Sequence, residues 1–202
     1  MYARTNTKNT LARATAYSAL TGLLLTACTL PVDPKLAKYQ ADEQTVVDHI
    51  AIFDTLDFDV YTHQKWDRLK ESHAKDIVVH YPDGHQTKGL DAHIDELKPM
   101  FVFAPDTRIE VHPVKFGAAE WTCVIGVIEG TFTNPMPVSD GTTIPPTGKK
   151  FRLEMATVGH WKNGVMDEEY LFWGNLSFMK QIGLAPQRET WLAPFPSSRW
   201  SL

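Results

Sequence analysis

Cysteine is scarce in this chain: Cys28 and Cys123 are the only two in 202 residues. That excludes a disulfide framework as the basis of the fold. There is no basic excess either. The 20 Lys and Arg residues are outnumbered by 24 Asp and Glu, giving a net charge of −4 and a pI of about 6.0. Nucleic-acid binders carry a basic stripe or patch, so no nucleic-acid partner is expected. Blocks of like charge are missing, which argues against a charged tail. No stretch reaches the roughly 20 apolar residues of a comfortable transmembrane helix. Phosphate loops, dinucleotide fingerprints and a Ser-His-Asp arrangement are all lacking. What is present is a hydrophobic fraction of 43%, enough for one domain with its own core.

The amino terminus differs from the rest. Arg4, Lys8 and Arg13 are positive, no acid precedes Asp33, and an apolar run from Ala16 to Leu25 is broken only by Ser18, Thr21 and Gly22. A charged start, a short apolar centre and small residues at the end make an export signal. Leu25-Thr26-Ala27-Cys28 resembles the bacterial lipobox. That resemblance implies cleavage after residue 27 and lipidation of Cys28, with several acyl chains giving lasting membrane attachment. Thr29, where an aspartate would retain the protein, resembles the outward-sorted type, so the expected location is the cell envelope, on the periplasmic face of the outer membrane, with the inner membrane left open. An ordinary secretory signal with an incidental Cys28 is the alternative. With Cys28 lipidated, Cys123 has no intrachain partner, and its apolar setting reads as core. The expected organisation is a signal over 1–27, a lipidated tether over 28–40, a domain over 41–185, and a Pro/Trp-rich tail over 186–202.

Within the domain, Val46, Val47, Ile50 and Phe53 recur at helical spacing from Ala41 to about Asp57. A second helical piece spans His63 to Ser72, and a short strand runs from Asp76 to Tyr81 before the Pro82-Asp83-Gly84 turn. Leu90, Ile94 and Leu97 mark a further helix, which Pro99 ends or kinks. From Arg108 the period becomes that of strands, with a parity switch at Pro113 that predicts a bulge and a bend. Long strands follow over Trp121–Phe132, Lys149–Trp161 and Val165–Trp173, the last two joined at Asn163-Gly164, a strong hairpin signal. Residues 133–148 form a Pro/Gly-rich loop, read as a pocket lid or a plain surface excursion. Asn175 to Gln181 is a short helix that stops at Gly183. The fold class is therefore α+β, helices on one face of a curved antiparallel sheet.

Several stretches resemble the SnoaL-like polyketide cyclase, or ester cyclase, family, whose fold is the cone-shaped nuclear transport factor two-like one. They are Gly89-Leu90-Asp91-Ala92-His93-Ile94, Phe103-Ala104-Pro105-Asp106, Gly130-Thr131-Phe132, Pro145-Pro146-Thr147-Gly148-Lys149, and Glu168-Glu169-Tyr170-Leu171-Phe172-Trp173-Gly174-Asn175 leading to Gln181-Ile182-Gly183-Leu184. The resemblance implies an aldol-type ring closure without metal or organic cofactor. It also implies a pocket aspartate near the end of the last strand and a histidine before the PPTGK loop. Here those two positions are Gly174 and Phe132, so the family acid/base is expected to be lost.

Alternation through Gly174 places Glu168, Tyr170 and Phe172 on its face. Tyr81, Phe132, Tyr170, Phe172 and Gly174 are then the expected pocket residues. Glu168 and Tyr81 are the candidates for remaining chemistry, Tyr81 because ketosteroid isomerases of this fold hold a base at the matching strand end. His80, His85 and His93 fit no ligand spacing, so no metal site is expected. Two readings stay open: a binder of a small hydrophobic molecule, and an active cyclase, isomerase or hydrolase. A homodimer joined through the sheet, as a non-catalytic envelope module, is the third. Whether the protein is an enzyme is left undecided by the residues.

Overall fold

The computed structural model describes residues 33–138 and 140–186. The lipobox, Cys28 and most of the carboxyl-terminal tail lie outside these residues. Helix α1 spans Pro34–Thr55, so it begins well before Ala41, within the stretch read as tether. Pro34 suits a first helical position, where a missing N–H costs nothing. Residues 34–40 are solvent-exposed, so no apolar period announces them. The buried stripe of α1 is His49 and Phe53, one turn apart, while Val47 is exposed.

The chain then tightens into a six-residue π-helical segment, Leu56–Tyr61, which buries Leu56, Asp57, Val60 and Tyr61. A 3-10 helix follows over Trp66–Glu71 in place of the expected α-helical piece. Strand β1 (His73–His80) starts three residues earlier than Asp76. Strand β2 is Gln86–Lys88, and α2 is Leu90–Phe103. Helix α2 continues through Pro99 because its last turn places Phe101 and Phe103 in the core, against the one backbone bond the proline removes.

Strands β3 (Arg108–Ile109) and β4 (Val114–Ala118) both pair with β5 (Trp121–Thr131). The register moves by two residues between Ile109↔Ile128 and Val114↔Ile125, which is the bend at Pro113. Strand β5 pairs along its whole length with β8 (Lys150–Lys162). The Asn163-Gly164 turn, with φ of +53° and +81°, leads into β9 (Val165–Phe172). Between β5 and β8, residues 133–148 carry a small ribbon, β6 (Met136–Pro137) paired with β7 (Thr143–Ile144). Helix α3 is Asn175–Gln181, stopped at Gly183 with φ +83°.

The large sheet runs β2-β1-β9-β8-β5-β3, with β4 beside β5. Its pairs are antiparallel except β1 with β9, which is parallel. The helices pack on the inner face. One core cluster gathers Phe53, Leu56, Leu69, Ile77, Trp161 and Leu171, and a second gathers Phe101, Phe103, Ile128, Phe132, Phe151 and Ile182. Among the described residues, no helix packs across the middle of the outer face. Phe116, Cys123, Val158, Tyr170 and His80 form one cross-strand row on it, and Phe116, Trp121 and Phe172 are exposed. Burial on this face pushes the Cys123 thiol up.

Candidate functional site

A cavity of about 240 Å³ opens between the helices and the inner face of the sheet. Its walls are apolar: Phe53 and Leu56 from the helical amino-terminal layer, Leu97 and Met100 from α2, and Ile128, Leu153 and Leu171 from the strands. Against them stand ionisable groups, all buried except the half-buried Tyr81. Asp57 comes from the π-helical segment, His73 from the start of β1, Tyr81 from just after its end, His93 from α2, and Glu169 from β9. A π-helical turn carrying a cavity residue is a common mark of a functional site.

Two polar sets result. In the first, Asp57 Oδ2 accepts from His112 Nε2 at 2.8 Å, and His112 Nδ1 donates to Asp54 Oδ1 at 2.7 Å. With both carboxyls ionised, both ring nitrogens donate and the ring is the imidazolium. Burial alone would lower the His112 pKa, but its bonds and charge attraction to Asp57 and Asp54 raise it. Asp57 is pushed up by burial, which outweighs the pull of His112. Asp54 is held down, burial being outweighed by Lys115 and His112.

In the second set, His73, His93 and Glu169 are 2%, 3% and 4% exposed. Glu169 Oε2 lies 3.7 Å from His73 Nε2 and 3.6 Å from His93 Nε2, too far for a hydrogen bond to either. Tyr81 Oη meets His93 Nδ1 at 2.9 Å. Burial lowers the His93 pKa to about 4, so the ring is neutral at pH 7. Burial acts to raise Glu169, but His73 and His93 outweigh it and hold the carboxyl below its usual range. Tyr81 is pushed up to about 12, chiefly by burial, and keeps its proton.

The residues picked from the sequence divide. Tyr81 lines the cavity. Glu168, Tyr170 and Phe172 do not: they point to the outer face, where Phe172 is 53% exposed. Glu168 accepts there from His80 Nε2 and Tyr170 Oη, both at 2.8 Å, bonds that lower its pKa, Tyr170 first. The error lies in which face is inward. The alternation over 168–172 holds, but the face it marks is the outer one, because Gly174 lies beyond the strand and does not mark the inward face; upstream, Asp167 is an extra residue, so Met166 and Glu168 fall on opposite faces. Glu169, Leu171 and Trp173 are the inward set. Gly174 is the amino-terminal cap of α3, beyond the strand and not in the cavity wall. Phe132 is fully buried but packs edge-on against Phe103 in the second core cluster. No described residue of 133–148 lines the cavity. Of His80, His85 and His93, only His93 reaches it, and its neighbours His73 and Glu169 are too distant in sequence for spacing to reveal.

An open, curved sheet wrapped on helices around an apolar cavity defines an α+β cone-cavity protein of the nuclear transport factor two-like kind. The family model of the SnoaL-like polyketide cyclases matches residues 51–182, and the chain belongs to that family. A SnoaL-like protein from Jannaschia sp. CCS1 superposes with a TM-score of 0.60 at 16% identity, covering 70% of this chain and 96% of its own. IdmH from Streptomyces antibioticus, of polyketide-cyclase type, gives 0.57 at 18% identity, covering 67% and 98%. A protein of ketosteroid isomerase-like fold from Catenulispora acidiphila, complexed with trimethylamine, gives 0.53 at 13%, covering 68% and 93%. At such identities these structures establish the fold. No curated protein matches the sequence.

Proposed function

We propose that the protein binds a small, largely apolar molecule with one oxygen-bearing end, and that this end meets Asp57 and the Glu169 set. The observation that carries the reading is the polarity of the cavity: hydrocarbon walls that terminate on buried carboxyl groups. Cofactor and ligand sites are built in this way, with apolar walls setting affinity and few polar groups setting orientation. The test is mass spectrometry of small molecules released from the full chain purified from its own host. A stoichiometric apolar molecule is expected, and it should be lost in Leu153→Trp, which fills the cavity. A wild-type protein that carries none, and takes up no apolar probe, refutes binding.

A second reading, turnover by proton transfer, is favoured by Asp57. A carboxyl whose pKa burial raises, facing an apolar cavity, holds its proton to higher pH than an exposed one and is a better candidate for proton exchange with a ligand. On this reading an enolisable ketone is turned over by wild type and not by Asp57→Asn. We further propose attachment to the envelope through lipidated Cys28, supported by the residues 25–28 and the segment before them. Cys28→Ala should move the protein from the membrane fraction to the soluble one.

A further inference from the structure

The second polar set has a feature that proton transfer does not explain. His73 Nε2 and Glu169 Oε2 are buried and have no hydrogen-bond partner. A buried carboxylate oxygen without a partner carries its full desolvation cost, so native structures seldom keep one. The orientation of His73 sharpens the problem. Its Nδ1 faces the Leu69 carbonyl at 3.3 Å and Ser72 Oγ at 2.8 Å, while the Ser72 hydroxyl donates to the same carbonyl at 3.1 Å. With the Ser72 hydroxyl donating to the Leu69 carbonyl, both oxygens can accept from Nδ1–H, and Nε2 then turns a lone pair toward Glu169 with nothing between them.

We propose that His73 Nε2, His93 Nε2 and Glu169 Oε2 bind a divalent transition metal ion of the zinc type. One ligand atom from each of the three residues lies within 4.8 Å of the other two. Ligand atoms of a tetrahedral site with bonds of about 2.0–2.1 Å are separated by roughly 3.4 Å, close to the spacing seen between Glu169 and each imidazole. An ion at the centre satisfies both orphaned atoms at once.

The outer contacts fit as well. Metal-bound imidazoles donate their second N–H to an oxygen that fixes the ring. His73 Nδ1 has the Leu69 carbonyl and Ser72 Oγ, and His93 Nδ1 has Tyr81 Oη. Two imidazoles and one carboxylate are a donor set of open catalytic zinc sites and of non-haem iron sites, and all three residues line the cavity. The fourth position therefore faces the cavity and would take the oxygen end of its occupant. The role of the ion rests on the cavity reading above, but its binding does not.

The test is titration of the full chain, stripped with a chelator, with Zn²⁺ by calorimetry and with Co²⁺ by visible absorption. One ion per chain is expected, with a Co²⁺ spectrum of low symmetry. His93→Ala and Glu169→Gln should each weaken binding by at least 100-fold. His80→Ala and His85→Ala, which alter histidines outside the cavity wall, should leave it unchanged. If His93→Ala fails to fold, Tyr81→Phe keeps both imidazoles and removes the oxygen that orients His93. It should bind about 10-fold more weakly. Folded wild type that binds neither ion, control variants that weaken binding as much as His93→Ala, or unchanged affinity in Tyr81→Phe would each overturn the assignment. A chain that holds its apolar molecule but no metal leaves the cavity reading standing. One that binds Zn²⁺ but no apolar molecule does the reverse.

Discussion

Replacing His112 by phenylalanine isolates the electrostatic worth of the Asp54–His112–Asp57 set. The ring packing against Phe58, at 4.4 Å between centroids, is kept, and the two bonds to carboxylates are lost. Asp54 is partly exposed and retains Lys115 at 2.7 Å, so its share of the cost is small. Asp57 is 6% exposed and is left as an uncompensated buried charge. Removing one partner of such a pair costs about 3–5 kcal/mol. With a urea dependence of roughly 2 kcal/mol per molar, the unfolding midpoint should fall by about 2 M.

The pH dependence carries the sign. In wild type the raised His112 pKa contributes stability that is full below its ordinary value of 6.5 and is lost as pH rises through the folded-state value. The lowered Asp54 contributes stability above its ordinary 3.8, lost as pH falls through the folded value. In His112→Phe the stranded Asp57, whose pKa burial already raises, takes up a proton more readily as pH falls, so the deficit should be smaller at pH 5 than at pH 7.5. The double variant Asp57→Asn/His112→Phe should recover much of it at pH 7.5. Urea denaturation at the two pH values measures all three quantities. A deficit below about 1 kcal/mol at pH 7.5, or one that ignores pH, would show that the set is not a desolvated ion pair.

Three further outcomes follow from placement. Glu168→Gln, on the outer face, should change stability by no more than about 0.5 kcal/mol and leave ligand retention intact, as calorimetry and mass spectrometry would show. Gly174→Asp should not create an acid/base in the cavity. At a cap with φ −85° it should raise thermal stability by a few tenths of a kcal/mol, and a gain of aldol turnover would contradict its placement. Thr122→Val removes the oxygen that accepts from the buried Trp161 indole at 2.8 Å, so a loss of about 1–3 kcal/mol is expected in the same denaturation assay.

Much of the architecture was legible from the sequence because local chemistry set it. Asn163-Gly164 does form the β8–β9 turn, Pro113 does bend the sheet, and Gly183 does stop α3. The fold class and family followed from the order of such signals together with the resembling motifs. The site was less legible. Alternation groups residues by face but does not say which face is inward, and Gly174, taken as the inward marker, lies beyond β9 at the cap of α3, so Glu169 and not Glu168 is the inward carboxyl. The start of β1 is hidden because His73 is held by parallel pairing with Met166 and by its own bonds to Leu69 and Ser72, none of which leaves an apolar period. Asp57 escaped notice because a π-helical turn changes the helical spacing locally. His73, His93 and Glu169 meet only through β1, α2 and β9, which spacing along the chain cannot show.

The parallel pairing of β1 with β9 sets the order in which the protein can be completed during synthesis. His73 and His93 leave the ribosome early, whereas Glu169 arrives near the end of the domain. Long-range pairings of this kind must close a large loop before any contact rewards them, and they fold slowly. Until β9 docks, Leu69, Ile77 and Val79 lack a wall and two imidazoles lack their carboxylate. A nascent chain stalled before β9 thus holds an open apolar cleft, a target for chaperones and proteases. The cleft closes, and the polar set is completed, only when β9 pairs with β1.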